Sequence, residues 1–157
     1  MTRPAVLGRL LQLAQIGPDD VVLLVGAGLG YTAAVIGQLA GSVIALECDE
    51  TLARQATANL EASEVANAVV VTGPLPDGYP SEAPYDVVLC DGAIEIAPER
   101  LVNQLKEGGR LVTIEGRGLA GRARLYVKGQ HGTSTRSAFN AAATALPGFT
   151  PDPAFVF

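Results

Sequence analysis

Charged residues are scarce in this chain: they make up 17% of its 157 residues, against a usual share of roughly 25%. So low a charge content indicates a surface that a partner covers in part, and we therefore expect some self-association, as a homodimer. The net charge is −5, and the eleven lysines and arginines are scattered along the chain. Because phosphate contacts need clustered basic residues, we expect no nucleic-acid partner.

Long apolar runs are also missing. No stretch approaches the roughly 18 apolar residues of a transmembrane helix, and the first residues lack a signal-peptide pattern. We therefore expect a cytoplasmic protein with no membrane partner. Cys48 and Cys90 each end an apolar run, on either side of a predicted strand, which would hold them about 9–10 Å apart. That distance excludes a disulfide, and we expect both to be packing residues rather than metal ligands in a reducing compartment.

What the sequence does contain is a strand that runs into a glycine turn. Five apolar residues, Val21 to Val25, lead directly into Gly26-Ala27-Gly28-Leu29-Gly30-Tyr31, and a helical pattern follows from 32 to 40. A short apolar run bounded by glycine predicts a fully buried parallel strand. The glycines allow the backbone to turn tightly and to approach a ligand closely. The following helix would direct its first N–H groups at that ligand.

A second apolar run, 43–46, ends in Glu47, seventeen residues after Gly30. A carboxylate at the tip of the second strand is well placed to accept hydrogen bonds from a ribose. Together these features predict a nucleoside-binding βαβ unit. The spacing of Gly26, Gly28 and Gly30 differs from the dinucleotide pattern G-x-G-x-x-G, which disfavours an NAD-binding domain. A tight turn in an α/β fold without a ligand is the remaining structural alternative.

Helical and strand patterns alternate along the rest of the chain, which predicts a doubly wound α/β sheet in a single domain spanning residues 1–157. Asp49 is expected to cap the helix after the second strand. A first helix is predicted over 6–14, with Gly17 as its stop, and a later helix starts at Pro98 and has Leu105 on its inner face. The remaining strands are predicted over 68–72, 85–90 and 110–114. A terminal hairpin is predicted to turn at Gly129 and Gly132.

Several ordered blocks match one known family. They are Met1-Thr2-Arg3-Pro4 before the leucine-rich helix, the segment from Leu23 to Tyr31, Pro84-Tyr85-Asp86, and the segment from Leu105 to Val112. In these blocks the chain resembles the protein-L-isoaspartate O-methyltransferases, which are class I S-adenosylmethionine-dependent methyltransferases. Pro147-Gly148-Phe149 and Ala154-Phe155-Val156-Phe157 are similar to the end of one bacterial branch of that family.

The resemblance implies a Rossmann-like sheet of seven strands with one antiparallel edge strand, and S-adenosyl-L-methionine as cofactor. It implies methylation of the α-carboxylate of L-isoaspartyl residues in damaged proteins or peptides. It places Thr2 at the position of a serine hydroxyl close to the transferred methyl group. The residues that would contact the cofactor are Gly26, Ala27, Gly28, Gly30, Tyr31, Glu47, Cys48, Pro74 and Leu75.

The chain also differs from the family it resembles. It begins after the N-terminal segment that helps to form the family's substrate site. Leu24 stands in place of an acid, and Pro74 stands in place of an aspartate that helps to hold the adenine. Proline offers neither a carboxylate nor a backbone N–H. These differences support a second hypothesis: a truncated or non-catalytic module of the same fold that acts through a protein partner.

Methyl transfer to a carboxylate requires alignment rather than a base, because the acceptor is already ionised near pH 7. The single histidine, His131, is therefore expected at the surface, in a hairpin tip. Asp91 follows the fourth predicted strand, at the edge where α/β sheets bind ligands. It is a candidate catalytic residue that faces the sulfonium or acts as a base, with a turn or cap role as the alternative. Since Asp91 would repel an isoaspartyl carboxylate, it also suggests a different acceptor.

Overall fold

The computed structural model describes residues 2–151 and contains one seven-stranded sheet. Its strands are β1 (Val21–Val25), β2 (Ser42–Glu47), β3 (Ala68–Thr72), β4 (Tyr85–Ile94), β5 (Leu105–Glu115), β6 (Arg122–Lys128) and β7 (Thr133–Asn140). They lie in the order β3-β2-β1-β4-β5-β6-β7. Strands β1 to β5 pair in parallel, and β6 is antiparallel to both of its neighbours. The expected doubly wound α/β sheet of seven strands is confirmed. The strand that runs against the others is β6, near one edge of the sheet.

Four α-helices accompany the sheet in the described range: α1 (Pro4–Ala14), α2 (Tyr31–Leu39), α3 (Glu50–Ala62) and α4 (Glu99–Val102). Helix α3 begins as expected, because the side chain of Asp49 accepts the N–H groups of Thr51 and Leu52. None of the helices in residues 2–151 has the length and apolar character needed to cross a membrane.

Helix α1 ends at Ala14, as its apolar pattern predicts, but its C-terminal cap is not the expected one. The left-handed residue after it is Gln15, with φ of 50°, and Gly17 lies outside the helix end. Arg110 on β5 stabilises this ending, since its guanidinium donates to the carbonyl of Ala14 at 2.6 Å and to that of Gln15 at 3.1 Å. The stop expected at Gly17 is therefore wrong, because a side chain 95 residues away provides the C-terminal cap.

Two strands are longer than expected. Strand β4 continues past Cys90 to Ile94, so Asp91 lies inside a strand. Strand β5 begins at Leu105, and the helix before it ends at Val102, so the expected helix through Leu105 is wrong. The reason is an irregular register between β4 and β5. Tyr85 pairs with Leu105, and the regular ladder resumes after Gly109, where Val87 pairs with Arg110. Sheet pairing at Leu105 overrides the helical spacing of its apolar neighbours.

The apolar core lies on both faces of the sheet. Leu24, where the resembled family has an acid, is fully buried in the cluster that includes Leu10 of α1, so its role here is packing. Cys90 is buried in a second core cluster, which includes Leu23, and loss of hydration there raises the pKa of its thiol to about 12. Cys48 is exposed, so the packing role expected for it is wrong, although both thiols are free as expected.

Strands β6 and β7 form the expected terminal hairpin. The N–H of Gly129 donates to the carbonyl of Gly132 at 2.8 Å and closes the turn, and His131 is exposed at its tip. Because β6 runs antiparallel to β5, this tip lies at the end of the sheet where β5 begins, beside Asn103 and Leu105. His131 is therefore a surface residue, remote from the carboxyl ends of the parallel strands.

After β7 the chain returns to the carboxyl end of β4. Residues 144–149, here called the strap, lie beside that end, and Ala145 forms a parallel bridge with Ala93. Strand β1 stops pairing with β4 at Val25 and Cys90, so the strap continues the sheet beyond the end of β1. Leu146 and Phe149 of the strap are buried. The terminal block Ala154–Phe157 noted in the sequence lies outside the described residues.

Candidate functional site

The candidate site lies at the carboxyl ends of β1, β2 and β4. The strand order reverses between β1 and β4, and open α/β sheets bind their ligands in the crevice at such a reversal. A cavity of about 320 Å³ opens in this crevice, within the range of small-ligand sites. A larger hollow of about 600 Å³ lies beside the edge strand β3 and α3 and shares no lining residue with this cavity. We place the site in the smaller cavity because the chemistry of its walls, rather than its size, points to a ligand.

The turn after β1 forms one wall of this cavity. The N–H groups of Gly26 and Ala27 donate to the carbonyl of Leu46 at 2.9 and 3.0 Å, which ties the turn to β2. Gly28 has φ of +54°, and a Cβ added there would meet nothing within 4 Å, so its face is open to a ligand. Gly30 differs, since a Cβ there would lie 3.1 Å from the carbonyl oxygen of Ala56 on α3. Gly30 is thus required for packing.

Glu47, at the tip of β2, holds two turns together. Its Oε2 accepts the N–H of Gly28 at 2.7 Å, and its Oε1 accepts those of Cys48 at 3.0 Å and Asp49 at 3.2 Å. The residue is 5% exposed and borders the cavity. Each carboxylate oxygen offers about two lone-pair sites, and in the described residues Oε2 accepts only the N–H of Gly28, so one site on Oε2 stays free for a ribose hydroxyl. Glu47 therefore braces the glycine turn, and its role as a ligand acceptor stays a prediction.

Five of the nine predicted cofactor residues line the cavity: Gly26, Ala27, Gly28, Glu47 and Leu75. Four do not: Gly30, Tyr31, Cys48 and Pro74. Among these four, Tyr31 is 53% exposed at the start of α2, and Cys48 and Pro74 are exposed at the surface. Leu75 is fully buried in the loop after β3 and provides an apolar wall. The glycine turn, the acid and Leu75 thus border the cavity, and the cofactor role of all nine residues stays a prediction.

Thr2 and Asp91, the two candidate catalytic residues, are brought together. The N–H of Thr2 donates to Oδ1 of Asp91 at 3.1 Å, and the hydroxyl of Thr32 donates to Oδ2 at 2.7 Å. Thr2 is 2% exposed and Asp91 is 6% exposed. Because Asp91 lies within β4, the turn or cap role considered for it is wrong. Its carboxylate instead fastens the chain before α1 and the first turn of α2 to the sheet.

The hydroxyl of Thr2 is buried and has no hydrogen-bond partner among residues 2–151. An unsatisfied buried hydroxyl costs about 1–3 kcal/mol, so such groups mark places where a ligand or a water completes the bonding. The open face of Gly28 and the free acceptor site on Glu47 fit a nucleoside cofactor, and the orphaned hydroxyl of Thr2 is a further polar group near Asp91. The donor set in this crevice therefore suits the cofactor that the sequence implies.

The strap supplies a wall that the sequence patterns did not reveal. Thr144, Ala145, Leu146 and Pro147 all border the cavity. The sequence contains one indication of this wall, which is Gly92, directly after Asp91. A Cβ at Gly92 would lie 2.6 Å from Leu146 Cγ. A glycine beside a candidate catalytic residue indicates that another segment approaches the backbone closely.

This sheet order, the glycine turn after β1 and the acid at the tip of β2 together define the class I methyltransferase fold. Comparison with known families gives a finer assignment. The sequence model of the Protein-L-isoaspartate(D-aspartate) O-methyltransferase family matches residues 1–141, and the chain belongs to this family.

Individual relatives agree with that assignment. A protein-L-isoaspartate O-methyltransferase of Koribacter versatilis is 42% identical over 112 residues, which are 71% of this chain and 50% of the relative. One from Dinoroseobacter shibae is 37% identical over 140 residues, which are 89% of this chain and 62% of the relative. The chain thus spans about half to three-fifths of the length of these curated relatives.

Solved structures agree on the fold. A protein-L-isoaspartate O-methyltransferase superposes with a TM-score of 0.85 at 25% identity, over 94% of this chain and 48% of the other. A second, described as a Plasmodium falciparum protein-L-isoaspartate O-methyltransferase in complex with S-adenosyl-L-homocysteine, gives a TM-score of 0.75 at 18% identity. That match covers 93% of this chain and 75% of the other.

Proposed function

We propose that the chain binds S-adenosyl-L-methionine and directs its methyl group to the α-carboxylate of L-isoaspartyl residues in a protein or peptide. The observation that carries this proposal is that Glu47, the open face of Gly28 and Asp91 border one cavity, and that Asp91 holds Thr2, whose hydroxyl is buried without a partner in residues 2–151. Membership of the isoaspartate methyltransferase family supports the same reaction.

Each wall of the crevice has a role in this proposal. Bound S-adenosyl-L-methionine would supply an electrophilic methyl group on a sulfonium. Glu47 accepts a hydrogen bond from a ribose hydroxyl, Gly28 leaves room for the ligand above the turn, and Leu75 packs against an apolar ring face. The Thr2 hydroxyl donates to the acceptor carboxylate and orients it. Because that carboxylate is ionised at neutral pH, the chain needs to align it and has no proton to remove.

Calorimetric titration with S-adenosyl-L-homocysteine tests the cofactor site. We expect binding in the micromolar range, followed by methylation of an isoaspartyl peptide but not of the same peptide with an ordinary aspartate. No binding at millimolar ligand would contradict the proposal and would favour the non-catalytic module that acts through a protein partner.

A second acceptor class is favoured by Asp91. Its carboxylate lies in the same crevice, 6% exposed, and like charges at close range repel strongly where water is excluded. An uncharged amine would be a better acceptor beside it, and Asp91 could then take the proton that the amine loses.

The Asp91→Asn substitution separates the two acceptor classes. If the acceptor is a carboxylate, removal of the negative charge should raise kcat/KM for an isoaspartyl peptide several-fold, since asparagine retains an oxygen that accepts one of the two hydrogen bonds. If the acceptor is an amine, the same substitution should abolish transfer. Circular dichroism melts of both proteins would show whether the anchoring of Thr2 survives.

We also propose weak self-association into a homodimer. Support comes from the low charge content and from large apolar residues on the surface around α2, where Leu29, Tyr31 and Leu39 are each more than 40% exposed. Sedimentation from micromolar to millimolar concentration should show the 16.2 kDa chain converting in part to a dimer. The Leu39→Lys substitution should shift this equilibrium toward the monomer. A wild-type monomer over the whole range would contradict the proposal.

A further inference from the structure

The strap occupies the place in the fold where a ligand is expected. Beyond the last pairing of β1 with β4, at Val25 and Cys90, the crevice at the strand reversal would be open on the β1 side of β4. Residues 144–149 lie there instead. They belong to the part of the chain that follows the family match, which ends at residue 141. The family model therefore does not cover the strap, although Pro147-Gly148-Phe149 within it is similar to the end of one bacterial branch.

Main-chain hydrogen bonds hold the strap to β4. The N–H of Ala93 donates to the carbonyl of Thr144 at 2.9 Å, and the N–H of Leu146 donates to the carbonyl of Ala93 at 2.8 Å. The N–H of Glu95 donates to the carbonyl of Phe149 at 2.9 Å. None of these contacts depends on the identity of a strap side chain, so any extended peptide could make them by adding to the same strand edge.

One strap side chain enters the crevice. Leu146 is 8% exposed, and its Cδ2 lies 2.8 Å from the point where a Cβ at Gly26 would stand. Its Cγ lies 2.6 Å from the corresponding point at Gly92, and Asp91 borders the same cavity. Gly26 in the turn after β1 and Gly92 in β4 thus leave room for the side chain of Leu146, next to the residue that anchors Thr2.

We propose that the edge of β4 at residues 93–95 is the docking site for an extended acceptor peptide, and that the strap occupies this site in competition with it. The isoaspartyl α-carboxylate branches from its peptide much as a short side chain does. A docked peptide would place that branch in the seat of Leu146, beside Asp91 and near the hydroxyl of Thr2. This inference rests on the proposed methyl transfer, and it identifies how the acceptor is held.

The Gly148→Ala substitution loosens the strap without touching the cavity. Gly148 has φ of +87°, and a Cβ there would lie 2.8 Å from Pro76, so alanine strains the docked conformation. Gly108→Ala is the matched control, because Gly108 has φ of +79° with nothing within 4 Å of an added Cβ. Gly108 lies near the start of β5, at the far end of the sheet.

Peptide affinity is measured by fluorescence anisotropy, with a labelled seven-residue peptide carrying a central isoaspartyl residue and with saturating S-adenosyl-L-homocysteine. If the strap is docked in nine molecules of ten, releasing it should tighten peptide binding about tenfold. We expect this gain for Gly148→Ala and none for Gly108→Ala. Peptide binding that stays the same or weakens in Gly148→Ala would overturn the proposal.

Hydrogen exchange at the Ala93 and Glu95 amides reports strap opening directly, because both amides donate to strap carbonyls. Leu146→Ala provides a second way to loosen the strap, with Leu125→Ala on β6 as a control of similar burial, 9% against 8% exposed. Exchange should be faster in Gly148→Ala and Leu146→Ala than in the two controls. If both amides stay protected in both strap variants, the strap is a fixed wall and the competition is excluded.

The inference and the proposed function fail in different ways. Absence of S-adenosyl-L-homocysteine binding to the wild-type chain would contradict the methyltransferase proposal, whatever the strap does. Cofactor binding together with peptide affinity that is unaffected by loosening the strap would contradict only the docking site. The anisotropy titration is repeated without S-adenosyl-L-homocysteine, so that the peptide result can be read independently of the cofactor.

Discussion

At the scale of single residues, Glu47 shows how a cofactor acid also serves the fold. Three backbone N–H groups from two separate turns converge on its carboxylate, so the ligand site and the conformation of the glycine turn depend on the same atoms. Hydrogen bonds to a charged acceptor are stronger than those to a neutral one. A change at this position should therefore affect ligand affinity and stability together.

The Glu47→Gln substitution tests this double role. Glutamine places an NH₂ group against at least one of the backbone N–H donors, which leaves two donors facing each other. We expect S-adenosyl-L-homocysteine affinity to fall at least tenfold, and the free energy of unfolding to fall by about 1–3 kcal/mol. Calorimetry and urea denaturation measure the two effects. Glu107→Gln, at an exposed position in β5, should change neither quantity, and equal effects in both variants would contradict the assignment.

At the scale of secondary structure elements, the end of α1 is set by a residue on another element. Arg110 of β5 donates to the carbonyls of Ala14 and Gln15, and its third contact is Asp20, at 3.0 Å. The planar guanidinium reaches all three acceptors at once, whereas an ammonium group on a flexible stem does not. The ion pair with Asp20 is three-quarters buried, which limits screening by water.

We therefore expect Arg110→Lys to lower the free energy of unfolding by about 1–2 kcal/mol, although it keeps the charge. Urea denaturation measures the change. Arg54→Lys is the control, because Arg54 is exposed on α3 and contacts only the hydroxyl of Thr51. A loss no larger than that of Arg54→Lys would show that charge alone, rather than the guanidinium geometry, stabilises the helix end.

The same elements show which structural features could be predicted from the sequence and which could not. Strand β3 was predicted with its observed bounds, and the glycine turn and Glu47 were placed correctly, because each depends on neighbouring residues. The C-terminal cap of α1, the last four residues of β4 and the strap were not predicted, because their partners are distant in sequence. These partners are Arg110 for the helix, and Ile114 and Ala145 for β4. Local periodicity carries no information on which remote segment will complete an element.

At the scale of the whole molecule, Asp86 joins three strands at the end of the sheet opposite the crevice. Its Oδ2 accepts the N–H of Val21, which opens β1, at 2.8 Å, and the ammonium of Lys106 on β5 at 3.1 Å. Partial burial by itself would raise the pKa of Asp86. The hydrogen bonds from Val21 and Lys106, with the nearby charge of Arg110, outweigh burial and lower that pKa below its ordinary value.

A carboxyl group whose pKa is lower in the folded state stabilises the fold when it is ionised. The contribution of Asp86 is therefore fully present above its unfolded pKa of about 3.9, and it is lost as the pH falls through the lower folded value. Asp86→Asn should lower the free energy of unfolding by about 1–2 kcal/mol at pH 7. The difference from wild type should shrink below about pH 4.

Urea denaturation at a series of pH values from 7 to 3 measures this dependence. Asp19→Asn provides the comparison, since Asp19 is exposed and makes no such contact in the described residues. A stability difference for Asp86→Asn that does not change with pH would mean that its hydrogen bonds, rather than its charge, join the strands.

The fastening of Thr2 has a practical consequence for handling the protein. Its N–H is bonded to Asp91, which borders the cavity, so a label attached near Thr2 would disturb the contacts of a residue in the cavity wall. The tip of the β6–β7 hairpin, where His131 is exposed, lies at the opposite end of the sheet. Labels and affinity handles inserted at that tip leave the crevice clear, so binding measured on such a protein reports the site itself.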